Sequence, residues 1–294
     1  MKTSKNADIR YLWKTTNDHT NIQYDIFKST KDVIKNFQKD QELKLGNNLL
    51  SQGFFFANVA NYSLSKLNSL WSSTQSKLPK NIYNFSIRYI NNTLPTRNNL
   101  VKWGILQSPD CSFCLHSESL LHVVSGCQHY LDRFTWRHNS VLNFIASSLK
   151  QIENTTLYAD LDDCKNPSII TGDNYRPDMI LKTPETLYVL ELTVGFESNL
   201  INNVERKQVK YARLITDLSC NNSCHVKFVN LSISCLGVFS SECASFIDML
   251  DYIGLDEKHK KYVVRKIINI AIRSTYYIFC CRNKDWDKPD LMML

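Results

Sequence analysis

Cys111, Cys114, His122 and Cys127 follow one another in the spacing Cys-x2-Cys-x7-His-x4-Cys. Zn2+ takes thiolate and imidazole ligands in tetrahedral geometry, and a Cys-x2-Cys pair presents two sulfurs from one tight turn. Pro109 and Asp110 lead into that turn, and ESLLHVVSGC reads as a short helix carrying His122, with Gly126 releasing Cys127 toward the same point. Four protein ligands close the shell, so a structural rather than a catalytic Zn2+ is expected. The competing reading is three ordinary core cysteines and a core histidine, which the spacing disfavours. His116 and His129 lie off the apolar stretch 120–123 and rank below His122 as ligands.

Arg176-Pro177-Asp178, followed by Glu191 in the apolar run LYVLELTV, supplies a second chemistry. If DMILK and LYVLELTV form a hairpin turning between Pro184 and Glu185, Asp178 faces Glu191. Two like charges opposite one another destabilise a strand pair, and a divalent cation between them reverses that cost. Hard oxygen ligands suit Mg2+ or Mn2+. Alternation puts Val189, Glu191 and Thr193 on one face and Leu190, Leu192 and Val194 on the other, one face for the core and one for chemistry. The alternative, a turn aspartate after Pro177 and a glutamate facing solvent from an edge strand, stays open on spacing alone.

The elements that must position these groups can be read from periodicity. After Pro79, NIYNFSIRYINNTL spaces Ile82, Phe85, Tyr89 and Ile90 as one helical face, and TRNNLVKWGIL gives a second short helix. A third, RFTWRHNSVLNFIASSLKQI, aligns Trp136, Val141, Phe144, Ile145 and Leu149. A first strand is expected within NTTLYADLDDCKNPSIITGDNY, then the two strands of the hairpin, a long helix over ESNLINNVERKQVKYARLITDL, and one or two strands in HVKFVNLSISCLGVF. Two closing helices fall near 240–253 and 257–281. Strands flanked by helices describe an α/β fold, divided as a polar, partly helical segment 1–78 with a flexible start, a zinc-binding module 79–150 and a second domain 151–294.

The chain has 294 residues, 43% of them hydrophobic and 21% charged, a balance that argues for folding rather than disorder. Ten cysteines fall short of a disulfide scaffold, and a cluster that includes histidine fits metal binding in a reducing compartment. No signal-peptide core opens the chain, and no window of about 20 uncharged apolar residues occurs, so an intracellular protein without a membrane span is expected. A formal charge of +7 and a pI near 8.8 make nucleic acid a plausible partner. Tyr158-Ala159-Asp160-Leu161 lacks the second aspartate of a polymerase Tyr-x-Asp-Asp turn.

Taken together, NFSIRYINNTLPTRNNLVKWGI, CSFCLHSESLLHVVSGC, WRHNSVL, RPDMIL, ELTVGFE and RKQVKYARL, in order over about residues 80–235, resemble the C-terminal part of non-LTR retrotransposon Pol proteins. These carry a reverse-transcriptase zinc-binding motif followed by a restriction-like endonuclease. The resemblance implies Cys111, Cys114, His122 and Cys127 as zinc ligands, and Asp178 and Glu191 as the Mg2+-binding acids of a PD-(D/E)xK fold. Thr193 stands where the usual strand lysine would be, and the resemblance then implies a helix lysine, Lys207 or Lys210; Glu197 is a weaker further carboxylate. The implied activity is metal-dependent nicking of target DNA in the nucleus to prime reverse transcription, by a chain lacking the polymerase domain, with the element's RNA as a further implied partner. Arg88, Arg97, Arg133, Arg137 and Arg206 would meet phosphates. The alternative is a catalytically inactive or domesticated zinc-containing nucleic-acid-binding protein.

Overall fold

Thr183, Pro184, Glu185 and Thr186 turn the chain back on itself at the tip of the central hairpin. Thr183 N–H donates to Thr186 O at 2.9 Å, and the Thr183 hydroxyl both donates to that oxygen and accepts from Thr186 N–H. The register this turn sets is the expected one: Met179 faces Leu190, Ile180 faces Val189 and Leu181 faces Tyr188. One step further, Asp178 stands opposite Glu191.

The computed structural model describes residues 30–52, 54–172, 175–221 and 224–289. The flexible start expected of the chain falls on residues 1–29, outside the described residues. Packing divides the chain after Gln52. In the first unit α1 spans Thr30–Gln52, with Ile34, Phe37 and Leu43 exposed.

In the second unit α2 (Phe54–Tyr62), α3 (Asn68–Gln75), α4 (Lys80–Ile90) and α5 (Arg97–Lys102) precede the cysteine cluster, and α6 (Leu131–Leu149) follows it. Then come β1 (Thr156–Ala159), the short α7 (Ser168–Thr171), β2 (Met179–Lys182), β3 (Thr186–Gly195), α8 (Leu200–Asn221), β4 (His225–Ser234), α9 (Ala244–Tyr252) and α10 (Glu257–Cys280). The result is an α+β fold on one four-stranded mixed sheet in the order β1-β2-β3-β4. The first three strands are antiparallel, while β4 runs parallel to β3 because α8 carries the chain back across the sheet, as a parallel pair requires.

Both faces of the sheet are covered. Ile180, Leu187 and Val189 pack under Tyr211, Leu214 and Leu218 of α8, residues spaced to share one helical face. Met179, Leu181, Tyr188, Leu190 and Leu192 join the larger core with Val141, Leu142 and Ile145 of α6 and Ile267 and Ile268 of α10. β3 is an interior strand, so the alternation in its sequence separates two buried environments. On α6 the buried stripe runs through Arg137, Val141, Leu142, Ile145 and Leu149, with Trp136 and Phe144 at its half-buried margins. Among the described residues no helix is long and apolar enough to cross a membrane.

After β4 the chain makes a tight turn against α10. Gly237 has φ +74°, and a Cβ there would lie 2.8 Å from Ile268 Cα. The turn also holds other elements: Trp71 Nε1–H donates to Leu236 O and Thr275 Oγ1–H to Cys235 O, each at 2.7 Å. Gly237→Ala therefore meets both the left-handed backbone cost and a clash with helix backbone, together about 3 kcal/mol. The expected result is a lower urea midpoint at unchanged slope; a wild-type midpoint would show that the turn and α10 move apart freely.

Candidate metal centre and carboxylate site

The four residues singled out by spacing converge. One ligand atom each from Cys111, Cys114, His122 and Cys127 lies within 4.8 Å of all the others. Cys114 Sγ is 3.8 Å from Cys127 Sγ and 3.3 Å from His122 Nε2. Sulfurs about 2.3 Å from a tetrahedral Zn2+ stand roughly 3.8 Å apart, so the donor set fits that ion. All three cysteines are free thiols.

Local backbone explains the convergence. Cys111 N–H donates to His116 O at 2.7 Å and Leu115 N–H to Cys111 O at 3.2 Å, with Leu115 in a left-handed conformation at φ +61°. His122 and Cys127 are joined by a wide turn in which Cys127 N–H donates to His122 O at 2.8 Å, the i to i+5 bond of a π-turn. Burial holds His122 below its ordinary pKa, keeping it the neutral imidazole a metal needs. Burial also pushes the Cys127 thiol up to about 12, so a thiolate there needs a neighbouring cation. His116 stacks beside His122 with ring centroids 6.2 Å apart, and His129 stacks on Phe113 at 4.0 Å; neither joins the cluster.

The module is tied to the segment that follows α10. Glu118, 2% exposed, accepts from Arg97 N–H at 3.0 Å and lies 3.6 Å from Arg282 Nε. Tyr130 Oη donates to Arg282 O. Arg133 donates to Cys281 O and Lys284 O at 2.6 and 2.8 Å while its guanidinium sits between the rings of Tyr130 and Trp286. The placement of Arg133 and Arg137 at phosphates is therefore corrected: they are 4% and 1% exposed. Arg137 instead donates to Thr275 Oγ1 at 3.1 Å and Val194 O at 3.4 Å. Of the other arginines, Arg88 donates to Thr93 O and Arg97 is half-buried, while Arg206 is exposed.

The second constellation forms where β3 runs past the end of β2. Asp178 N–H donates to Glu191 Oε2 at 3.3 Å, and Leu192 N–H donates to Asp178 Oδ2 at 2.7 Å. Further along the same register Leu192 stands opposite Pro177, which has no N–H to offer. Its carbonyl is met by His138 Nε2 at 3.3 Å, and the same nitrogen lies 3.3 Å from Asp178 Oδ2. Lys207, from α8, pairs with Glu191 Oε1. Glu191 is 2% exposed, which excludes the solvent-facing alternative. Burial first, and then the Asp178 charge, raise its pKa, with Lys207 acting against both. For His138 burial acts downward, but the Asp178 hydrogen bond and charge raise it on balance.

Of the two lysines, Lys207 is the one at the acids. Lys210 Nζ lies over the Tyr211 ring and donates to Tyr211 Oη at 2.9 Å, and that hydroxyl donates to Arg176 O. Thr193 contributes only a buried hydroxyl without a hydrogen-bond partner. Glu197 is no further ligand of this site: it is 1% exposed and accepts from Tyr89 Oη at 2.9 Å. His138 was missed by sequence reasoning, although a polar residue on the apolar stripe of α6 is the kind of signal that could have found it.

Residues 50–136 match the family model described as zinc-binding in reverse transcriptase, a span that contains all four zinc-site residues. A module of that kind points to a retroelement origin. No curated protein matches the chain.

Two outcomes are expected. The purified protein carries one Zn2+ per chain, and Cys114→Ser and Cys127→Ser each lose it; chelation removes hydrogen-exchange protection from residues 108–130 first. Full zinc in either variant would refute the ligand set. Secondly, burial raises the Glu197 pKa, so the folded state holds a proton that the unfolded state releases near pH 4.3. The stability this contributes is whole below that value and lost as pH rises through the folded pKa. Glu197→Gln is therefore expected to flatten the decline of the urea midpoint on going from pH 4 upward, and an unchanged slope would show the carboxyl to be ionised in the fold.

Proposed function

We propose that this chain is the nicking endonuclease part of a non-LTR retrotransposon reverse transcriptase, with a structural Zn2+ and a PD-(D/E)xK-type site that takes Mg2+ or Mn2+. The observation that carries the reading is that Asp178 and Lys207 both meet Glu191 beside the end of β2, although the three come from the chain before β2, from α8 and from β3 respectively. Structure alone has little use for a buried glutamate held against a half-buried aspartate and ammonium, since paired charges taken out of water seldom stabilise more than apolar residues of the same volume.

The donors fit a hard cation. Asp178 Oδ1 has no hydrogen-bond partner among the described residues, and Glu191 lies beside it in a low-dielectric setting that the charge of Asp178 makes worse. Asp178 and Glu191 would hold the ion, which when bound polarises a phosphate and acidifies water. Lys207 would neutralise Glu191 in the resting protein and, on the arrival of DNA, stabilise charge developing on the scissile phosphate. Target DNA, and the element's RNA, would be the partners, and the nucleus the place of action.

A second reading is favoured by one specific feature: both Glu191 oxygens are already engaged, one by Lys207 and one by Asp178 N–H. In that reading the chain is an inactive or domesticated zinc-containing nucleic-acid-binding protein.

With supercoiled plasmid and Mg2+ or Mn2+, zinc-loaded wild type is expected to nick. Asp178→Ala and Glu191→Ala abolish nicking, Lys207→Met lowers it about 10²–10³-fold, and Lys210→Met retains it. Binding without nicking by the wild type would favour the second reading.

A further inference from the structure

The run Arg137-His138-Asn139 stands on α6, and His138, on the helical stripe it shares with Val141, Leu142 and Ile145, reaches the end of the hairpin. Its Nε2 lies 3.3 Å from Asp178 Oδ2 and 3.3 Å from Leu192 O. Both neighbours only accept, one being a carboxylate oxygen and the other a carbonyl, so Nε2 carries a hydrogen and donates it. That assignment stands whichever way the Asn139 amide, 3.1 Å from Nδ1, is turned.

Leu192 N–H donates to the same Oδ2 at 2.7 Å. Two donors on one oxygen fix the rotation of the carboxylate and leave Oδ1 as its free face. We infer that His138 is a positioning residue of the proposed nuclease site, its Nε2–H holding Asp178 Oδ2 so that Oδ1 is presented to the divalent cation. The inference rests on the nuclease reading given above. It accounts for a histidine, with its side chain 25% exposed, on a stripe that packing alone would fill with an apolar residue. Outer hydrogen bonds to a ligand of this kind are worth about 10–100-fold in metal affinity.

The test titrates Mn2+ into zinc-loaded protein, following the free ion by electron paramagnetic resonance, alongside plasmid nicking at each Mn2+ concentration. His138→Ala is expected to weaken Mn2+ binding, and to raise the Mn2+ needed for half-maximal nicking, by about 10–100-fold, with the saturated rate unchanged. His138→Gln, whose amide nitrogen can reach the place of Nε2, recovers most of the affinity; His138→Leu, similar in bulk but without a donor, does not. Zinc content and melting temperature verify that each variant folds. Wild-type Mn2+ affinity in His138→Ala, or equal affinities for Gln and Leu, overturns the inference while leaving the nuclease reading in place. A wild type that neither nicks nor binds Mn2+ in a manner lost with Asp178→Ala overturns both.

Discussion

A carboxylate in the middle of an interior strand cannot be left alone, and Glu191 is such a carboxylate. Removing a charge from water costs several kcal/mol even after relaxation, unless a partner and hydrogen bonds replace the solvent. Here the partner is Lys207, brought by the crossover helix α8, and the hydrogen bond comes from Asp178 N–H, brought by the hairpin register. Both depend on geometry set elsewhere. Slipping the hairpin by one residue would turn Asp178 to the other face of the sheet, and undocking α8 would uncover Val189 and Leu187 along with the acid.

The opposite face has a comparable arrangement. Arg137 reaches Thr275 on α10 and the carbonyl of Val194, while Glu197 receives the Tyr89 hydroxyl from α4. Buried polar groups therefore join α4, α6, α10 and the end of β3, and the direction of their hydrogen bonds makes their mutual placement specific, although Arg137 Nε and Glu197 Oε1 are left without a partner. The apolar core around them supplies the larger share of the driving force, but apolar contact is not directional.

The zinc module connects to this core through α6, which begins soon after Cys127 and carries Arg133, Arg137 and His138 in turn. The stretch between Cys111 and Cys127 has only a few buried apolar residues, too few to fold by themselves, and metal binding of about 10–16 kcal/mol supplies what is lacking. Arg133, caught between Tyr130 and Trp286, fastens the start of α6 to the chain beyond α10. Disturbance at the zinc centre thus has a short physical route to the helix that carries His138.

Much was legible in the residues themselves. The zinc ligands lie close in the chain, so spacing and ligand chemistry name them without knowledge of the fold. The hairpin pairing of Asp178 with Glu191 follows from a turn centred between Pro184 and Glu185, α4 and α6 follow from their apolar periodicity, and the segments of α5 and α8 read as helices. Only tertiary structure decided what covers the Glu191 face, because alternation along β3 tells two faces apart and cannot say whether the second meets water or α8. It also decided between Lys207 and Lys210, which share a helix at neighbouring positions and differ in which side turns toward the sheet, and it buried Arg133 and Arg137, whose charge reads from sequence as a sign of the surface. Local spacing fixes groups joined by a few peptide bonds, whereas contacts between distant elements depend on how whole surfaces pack.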